Sequence, residues 1–133
     1  MIATMKNRRA SADKLIVVIE DNELVLDATS GLLRSWGFQV VAAKDFAEAL
    51  RQLADLRRRP DLIVCDYRLS KGTTGVEVIA GLRGAFEIPA LLISGDSSCP
   101  GGDLARNSYQ LLHKPLSVDT FRAALIDACV LAH

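Results

Sequence analysis

The sequence predicts an α/β domain built on a five-stranded parallel sheet with helices on both faces. Three observations carry this prediction. Five short runs rich in Val, Ile and Leu recur along the chain, stretches of helical period with capping residues separate most of them, and 133 residues suffice for one domain around a single core. Strands covered by helices on both sides read as continuous apolar runs, not as alternating ones, and that is the pattern here.

Residues 1–13 are polar and basic without periodicity, so they read as a flexible lead-in or linker, with the domain proper over 14–131. Leu15–Ile19 is β-branched and apolar throughout, which predicts a strand buried on both faces. Asn22 can cap a helix running to Trp36, with Val25, Ala28, Leu32 and Trp36 inward and Gly37 as its stop. Residues 38–42 form the second strand. Asp45 with Glu48 three residues later opens the next helix, which buries Phe46, Ala49, Leu50 and Leu53 and ends before Pro60. The third strand, 62–65, leads into Asp66. A loop containing Gly72 and Gly75 precedes a helix with Val76, Ile79 and Leu82 inward. The fourth strand, 90–93, leads into Ser94. Pro100, Gly101 and Gly102 allow only a short, weak helix within 95–108. Gln110–His113 is the fifth strand, broken by Pro115, and Ser117 caps a last helix with Val118, Phe121, Leu125 and either Ala128 or Cys129 inward.

Composition narrows the classes of function. Basic and acidic residues balance at 16 each, so no basic excess points to direct nucleic-acid contact and no acidic tail is evident. The apolar runs fall far short of the roughly 20 residues a spanning helix needs. Lys6, Arg8 and Arg9 are not followed by the apolar stretch of a secretory signal. Cys65, Cys99 and Cys129 are odd in number, widely spaced and without metal or redox spacing, so they read as reduced thiols of a cytoplasmic protein.

Ligands of open parallel sheets bind beyond the carboxyl ends of the strands. There the chain places Glu20 and Asp21 after the first strand, Asp66 after the third, Ser94 after the fourth and Lys114 after the fifth, while the second ends in Ala42 and Ala43. Three carboxylates in one crevice repel one another, which raises the pKa of at least one unless a cation is bound. Hard oxygen donors without His or Cys favour Mg²⁺ over zinc. A carboxylate nucleophile, a cation, a hydroxyl and a lysine are the parts phosphoryl transfer requires.

Four stretches, in order and each at a strand end, make the chain resemble the receiver domain of two-component response regulators and hybrid histidine kinases. They are Val18-Ile19-Glu20-Asp21-Asn22, Ile63-Val64-Cys65-Asp66-Tyr67, Leu92-Ile93-Ser94-Gly95 and His113-Lys114-Pro115. The resemblance implies a flavodoxin-like, doubly wound sheet of order 2-1-3-4-5. It implies Asp66 as phosphoacceptor, with Mg²⁺ held by Glu20, Asp21, Asp66 and the backbone carbonyl of Arg68. Ser94 and Lys114 would bind the phosphoryl oxygens, and a cis Lys114–Pro115 peptide would aim the lysine inward. The donor would be a phosphohistidine on a histidine kinase or a phosphotransfer domain, and the product a signalling switch that accepts and slowly loses its own phosphoryl group. A phosphorylation-dependent dimer is among the assemblies the resemblance allows; nucleic acid and membrane are not expected as direct contacts.

The chain departs from the family pattern at Leu111, where an aromatic switch residue is usual, with Tyr109 two residues earlier. It also lacks the proline common in the loop after the phosphoacceptor. Arg68 and Asp96 flank the site and are expected to tune hydrolysis. The phrasing around Asp66 and Lys114 looks like the hybrid-kinase group; a stand-alone single-domain regulator is the alternative context. A phosphatase of the haloacid dehalogenase type would want a second aspartate where Arg68 stands. A flavin module would need a phosphate cradle where Glu20, Asp21, Asn22 and Glu23 place negative charge. Bland readings are expected for Arg57, Arg58 and Arg59 as a solvated helix end, Trp36 as core, His113 as structural and Cys65 as a buried, non-nucleophilic residue.

Overall fold

Leu15–Ile19, all apolar, forms strand β1, and its five residues are buried. Alternate side chains leave it on opposite faces: Leu15, Val17 and Ile19 enter one core cluster, Ile16 and Val18 the other. The computed structural model describes residues 14–68, 74–85, 88–94, 110–113 and 117–131. In chain order these form β1, α1 (Glu23–Ser35), β2 (Gln39–Ala43), α2 (Phe46–Leu56), β3 (Leu62–Asp66), α3 (Gly75–Ala85), β4 (Ala90–Ser94), β5 (Gln110–His113) and α4 (Val118–Leu131).

The strands pair in parallel in the order β2-β1-β3-β4-β5. One face carries α2 and α3, which bury Ala49, Leu53, Val78, Ile79 and Leu82 against Val17, Ile63 and Leu92. The other carries α1 and α4, which bury Leu26, Leu33, Phe121, Leu125 and Ala128 against Ile16, Val64 and Leu91. Each fully buried Leu or Ile contributes roughly 1.5–3 kcal/mol relative to an exposed one. The chain crosses from one side of β1 to the other between β2 and β3, and the crevice at the carboxyl ends of β1 and β3 is where such sheets take ligands.

The helix boundaries follow their caps. Asn22 Oδ1 accepts from the backbone N–H groups of Leu24 and Val25, and Asp45 Oδ1 from that of Glu48. The Glu48 carboxylate reaches back to the Lys44 N–H at 3.3 Å, one residue beyond the cap N–H of a regular capping box. Ser117 Oγ accepts from the Thr120 N–H at 3.1 Å. Gly37, at φ 95°, makes the left-handed turn that ends α1. Arg57 makes the equivalent turn after α2 at φ 52°, a conformation that costs a non-glycine residue about 1–2 kcal/mol.

Several inward faces differ from expectation. In α1 the buried row is Leu26, Ser30 and Leu33, and Val25 is exposed. Val25, Ala28 and Leu32 instead flank a cavity beside the sheet, one step around the helix. In α4, Val118 is exposed because it lies in the first turn, beyond the sheet it was expected to cover. The buried residue near the end of α4 is Ala128; the Cys129 side chain is outside the described residues. Strands β3 and β4 each run one residue further than expected, to Asp66 and Ser94, so both functional candidates belong to the sheet itself. β2 is shifted to begin at Gln39, with Phe38 buried just ahead of it. Trp36 is half-buried, tilted against Phe121 at 6.0 Å between ring centroids and covered by the Arg122 guanidinium at 5.4 Å.

Candidate functional site

The site is assembled by strand ends. β1 delivers Glu20 and Asp21, and the pairing with β2 continues past the strand through the Glu20 N–H to the Ala43 carbonyl at 3.1 Å. Glu20 is 93% shielded from solvent, at 7% exposure, and its Oε1 accepts the Asn22 N–H at 3.1 Å. Burying a carboxylate costs several kcal/mol unless charge or hydrogen bonds compensate it. β3 delivers Asp66, half-buried. The Tyr67 N–H bonds the Ile93 carbonyl at 2.8 Å, which keeps β3 and β4 locked together just beyond it.

One carboxylate oxygen from each of Glu20, Asp21 and Asp66 lies within 4.8 Å of the other two. At that separation two like charges repel by about 3 kcal/mol for an effective dielectric near 20. The donor set is all hard oxygen, so the residues fit a small divalent cation such as Mg²⁺ and do not fit a metal that prefers nitrogen or sulfur.

The loop after β3 is tied at its base. Arg68 and Thr74 form an antiparallel bridge, and the Gly75 N–H donates to the Tyr67 carbonyl at 2.6 Å. Thr74 and Glu77 cap α3 reciprocally: the Thr74 N–H donates to Glu77 Oε2 at 3.1 Å and the Glu77 N–H to Thr74 Oγ1 at 3.4 Å. Ser94, 1% exposed, ends β4 opposite His113 of β5. A cavity of about 420 Å³ opens between α1 and α4, with Glu20 and Asp66 at its polar end and Val25, Leu32, Ile93 and Phe121 on its walls.

Two described neighbours bear on the electrostatics. On the rim, Lys44 Nζ pairs with Glu23 Oε1 at 2.7 Å; the hydrogen bond holds the Glu23 carboxyl below its ordinary value and the Lys44 amine above its own. Beneath the site, burial first and then the Asp66 and Glu20 carboxylates push the Cys65 thiol far up, so it stays protonated, and its Sγ donates weakly to the Asp66 carbonyl at 3.4 Å. A neutral, buried thiol is no nucleophile, in line with its expected role.

The structure thus gathers Glu20, Asp21 and Asp66, and places Ser94 on the adjacent strand end and Arg68 at the loop base. Lys114, Pro115, Tyr109, Asp96 and the expected short helix within 95–108 lie outside the described residues. So do the side chains of Leu111 and His113; the Leu111 backbone stands opposite Leu92 in the β4–β5 pairing. Sequence reasoning treated Gly75 only as a turn residue and did not see its contact with the Asp66 backbone, for which spacing along the chain gives no signal.

Known proteins align with this arrangement. A family model described as the response regulator receiver domain matches residues 16–126. The transcriptional regulatory protein KdpE of Mycobacterium tuberculosis is 34% identical over 113 residues, 84% of this chain and 49% of that protein. The transcriptional regulatory protein ZraR of Escherichia coli O157:H7 is 31% identical over 122 residues, 89% of this chain and 27% of that protein. The chain therefore spans about half or less of the length of these curated relatives. Among solved structures, the signal receiver domain of an HD domain-containing protein from Pseudomonas fluorescens Pf-5 superposes with a TM-score of 0.78. It is 24% identical, over 90% of this chain and 97% of that one. The signal receiver domain of a modulated diguanylate cyclase from Desulfovibrio desulfuricans G20 gives 0.73 at 26% identity, over 89% and 94%. No helix among the described residues is long and apolar enough to cross a membrane.

Proposed function

Because this chain belongs to the response regulator receiver domain family, we propose that it is the phosphoacceptor module of a two-component phosphorelay, and that Asp66 takes the phosphoryl group. The observation that carries this reading is the meeting of three carboxylate oxygens within 4.8 Å at the ends of β1 and β3. Glu20, Asp21, Asp66 and the Arg68 backbone carbonyl would hold Mg²⁺. Bound there, Mg²⁺ offsets the carboxylate repulsion and neutralises charge on the phosphoryl oxygens.

The chain's own residues do the rest. An Asp66 carboxylate oxygen attacks phosphorus in line with the departing imidazole of a phosphohistidine. The P–N bond breaks, its electron pair returns to the imidazole nitrogen, and that nitrogen takes up a proton. Ser94, fixed at the end of β4, would hydrogen-bond one phosphoryl oxygen, and Lys114 would pair with another. Water attacking the same phosphorus later restores the carboxylate and releases phosphate. The protein is on this reading a signalling switch and not a turnover enzyme. Its donor is a histidine kinase or histidine phosphotransfer domain, it works in the cytoplasm, and it touches neither nucleic acid nor membrane directly. The receiver occupies 14–131, with 1–13 as a lead-in, and a phosphorylation-dependent dimer is an accessible output.

The parent protein is proposed to be a hybrid histidine kinase, on the wording of the motifs around Asp66 and Lys114. A stand-alone single-domain regulator is the second reading, while the names of KdpE and ZraR, in which the matching part is a half or a quarter of the whole, support a receiver within a longer transcriptional regulator.

Acetyl phosphate, a small-molecule phosphoryl donor, tests the assignment in the presence of Mg²⁺. Mass spectrometry is expected to find one phosphoryl adduct, on Asp66, absent in Asp66→Asn. No adduct on the wild type, or an adduct that survives the substitution, would overturn it.

A further inference from the structure

We infer that Gly75 is a positioning residue for the phosphoacceptor and its cation, an inference that rests on the reading just given. Gly75 is buried at the first turn of α3 and packs directly on the backbone of Asp66. A Cβ built there would fall inside van der Waals contact of the Asp66 carbonyl oxygen and 2.5 Å from Leu92 Cδ1. Glycine is not required for its dihedral angles, since Gly75 is absent from the positive-φ residues. Its place as the first residue of α3, after the Thr74 cap, does not call for glycine either. The remaining reason for it is closeness.

That closeness has a consequence for the site. The Gly75 N–H reaches back to the Tyr67 carbonyl at 2.6 Å, and the next residue pair outward is the Arg68–Thr74 bridge. Asp66, Tyr67 and Arg68 are therefore clamped against the start of α3, and two of those three supply proposed cation ligands. Moving α3 outward to admit a methyl group displaces the Asp66 carbonyl and opens the clamp that sets the Arg68 carbonyl. Gly84, nine residues on in the same helix, has nothing among the described residues within 4 Å of its would-be Cβ and serves as the matched control.

The full chain is titrated with Mg²⁺ by calorimetry and melted without metal, as wild type, Gly75→Ala, Gly84→Ala, and Gly75→Ala combined with Leu92→Val. Gly75→Ala is expected to weaken Mg²⁺ binding by about tenfold or more, the loss usual when a group that orients a ligand is disturbed. Gly84→Ala is expected to bind as wild type does. Leu92→Val removes the clashing Cδ1 and leaves the Asp66 carbonyl obstructed, so the double variant should not regain affinity. Wild-type affinity in Gly75→Ala, or affinity restored by Leu92→Val, overturns the inference and leaves Gly75 a packing residue.

Should Gly75→Ala fail to fold, amide exchange on the wild type decides. Coupling is reciprocal, so a clamp that supports the cation is itself supported by it. Mg²⁺ should slow exchange at the Gly75 amide and leave the Gln39 amide, bonded to the Lys14 carbonyl at the other end of the sheet, unchanged. Equal Gly75 exchange with and without Mg²⁺ overturns the inference. A wild type that binds no Mg²⁺ overturns the phosphoacceptor reading and this inference together, whereas a wild type that binds it and a Gly75→Ala that binds equally well removes this inference alone.

Discussion

The two ends of the sheet treat acidic residues in opposite ways. At the amino end a single carboxylate, Asp61, is served on several sides. It accepts the buried Leu15 N–H at 2.7 Å and faces Arg58 at 3.8 Å, while Arg58 also bonds Gln39 Oε1 at 2.7 Å. At the carboxyl end three carboxylates crowd within 4.8 Å of one another. The first arrangement ties β1, β2 and the lead into β3 together; the second sets like charges against one another at the ends of β1 and β3. Acidic side chains that converge in this way are common at functional sites.

The largest effect that would break this comparison lies at the amino end. Asp61→Ala leaves the Leu15 N–H buried without its acceptor, which costs about 1–3 kcal/mol, and it removes one of the partners of Arg58 as well. Chemical denaturation should show a loss of that order, with Mg²⁺ affinity unchanged. A neutral Asp61→Ala would mean the amino end is no firmer than the other. At the carboxyl end the sign reverses. Asp66→Asn relieves two repulsions of about 3 kcal/mol each before relaxation and solvent screening, so a gain of about 1 kcal/mol is expected without metal. Wild type should gain roughly 1.4 kcal/mol at Mg²⁺ tenfold above its Kd, and Asp66→Asn much less. A metal-free Asp66→Asn less stable than wild type would show that Asp66 supports the fold.

Ser30 sharpens the contrast. It is 1% exposed on the α1 face that packs on the sheet, and its Oγ has no hydrogen-bond partner among the described residues. Ser30→Ala removes a buried hydroxyl without a partner and improves helix propensity, so a gain of about 1 kcal/mol is expected. This gain should come with no change in Mg²⁺ binding, unlike the gain in Asp66→Asn. Mg²⁺ titration separates a general relief of buried polarity from relief at the site.

What the sequence made legible follows from locality. Strands announced themselves because two-faced burial demands unbroken apolar runs, and Asn22, Asp45 and Ser117 marked helix starts because capping is a contact within three residues. The acidic cluster was legible because each member directly follows such a run. Inward faces were harder to read. Leu26, Ser30 and Leu33 form the buried row of α1, and the serine in the middle of it made the neighbouring row of Val25, Ala28 and Leu32 look the more apolar. In α4, Phe121, Leu125 and Ala128 were legible, whereas Ala124 packs beside them with a side chain too small to stand out. Gly75 was legible only as a turn former, because its contact is with a backbone carbonyl nine residues earlier, a distance that folding closes and spacing does not report.

The smallest expected effect is on the rim, where charge at the carboxyl end is compensated. Lys44 and Glu23 are joined at 2.7 Å with both side chains well exposed, so screening by water and salt limits what the pair contributes. The Glu23 carboxyl is lowered from 4.5, so its share of stability is present above that value and lost as pH falls through the lowered one. The Lys44 amine is raised from 10.5, so its share is present below that value and lost only as pH climbs through the raised one. Lys44→Met should therefore lower the melting temperature slightly and evenly across the neutral range, with the difference from wild type closing only at the acid and alkaline extremes. Melts in high salt should erase it throughout. A deficit that persists in high salt, or one that varies between pH 6 and 8, would mean that Lys44 answers to the buried acids behind it and not to Glu23, and that the rim belongs to the same electrostatic unit as the cluster.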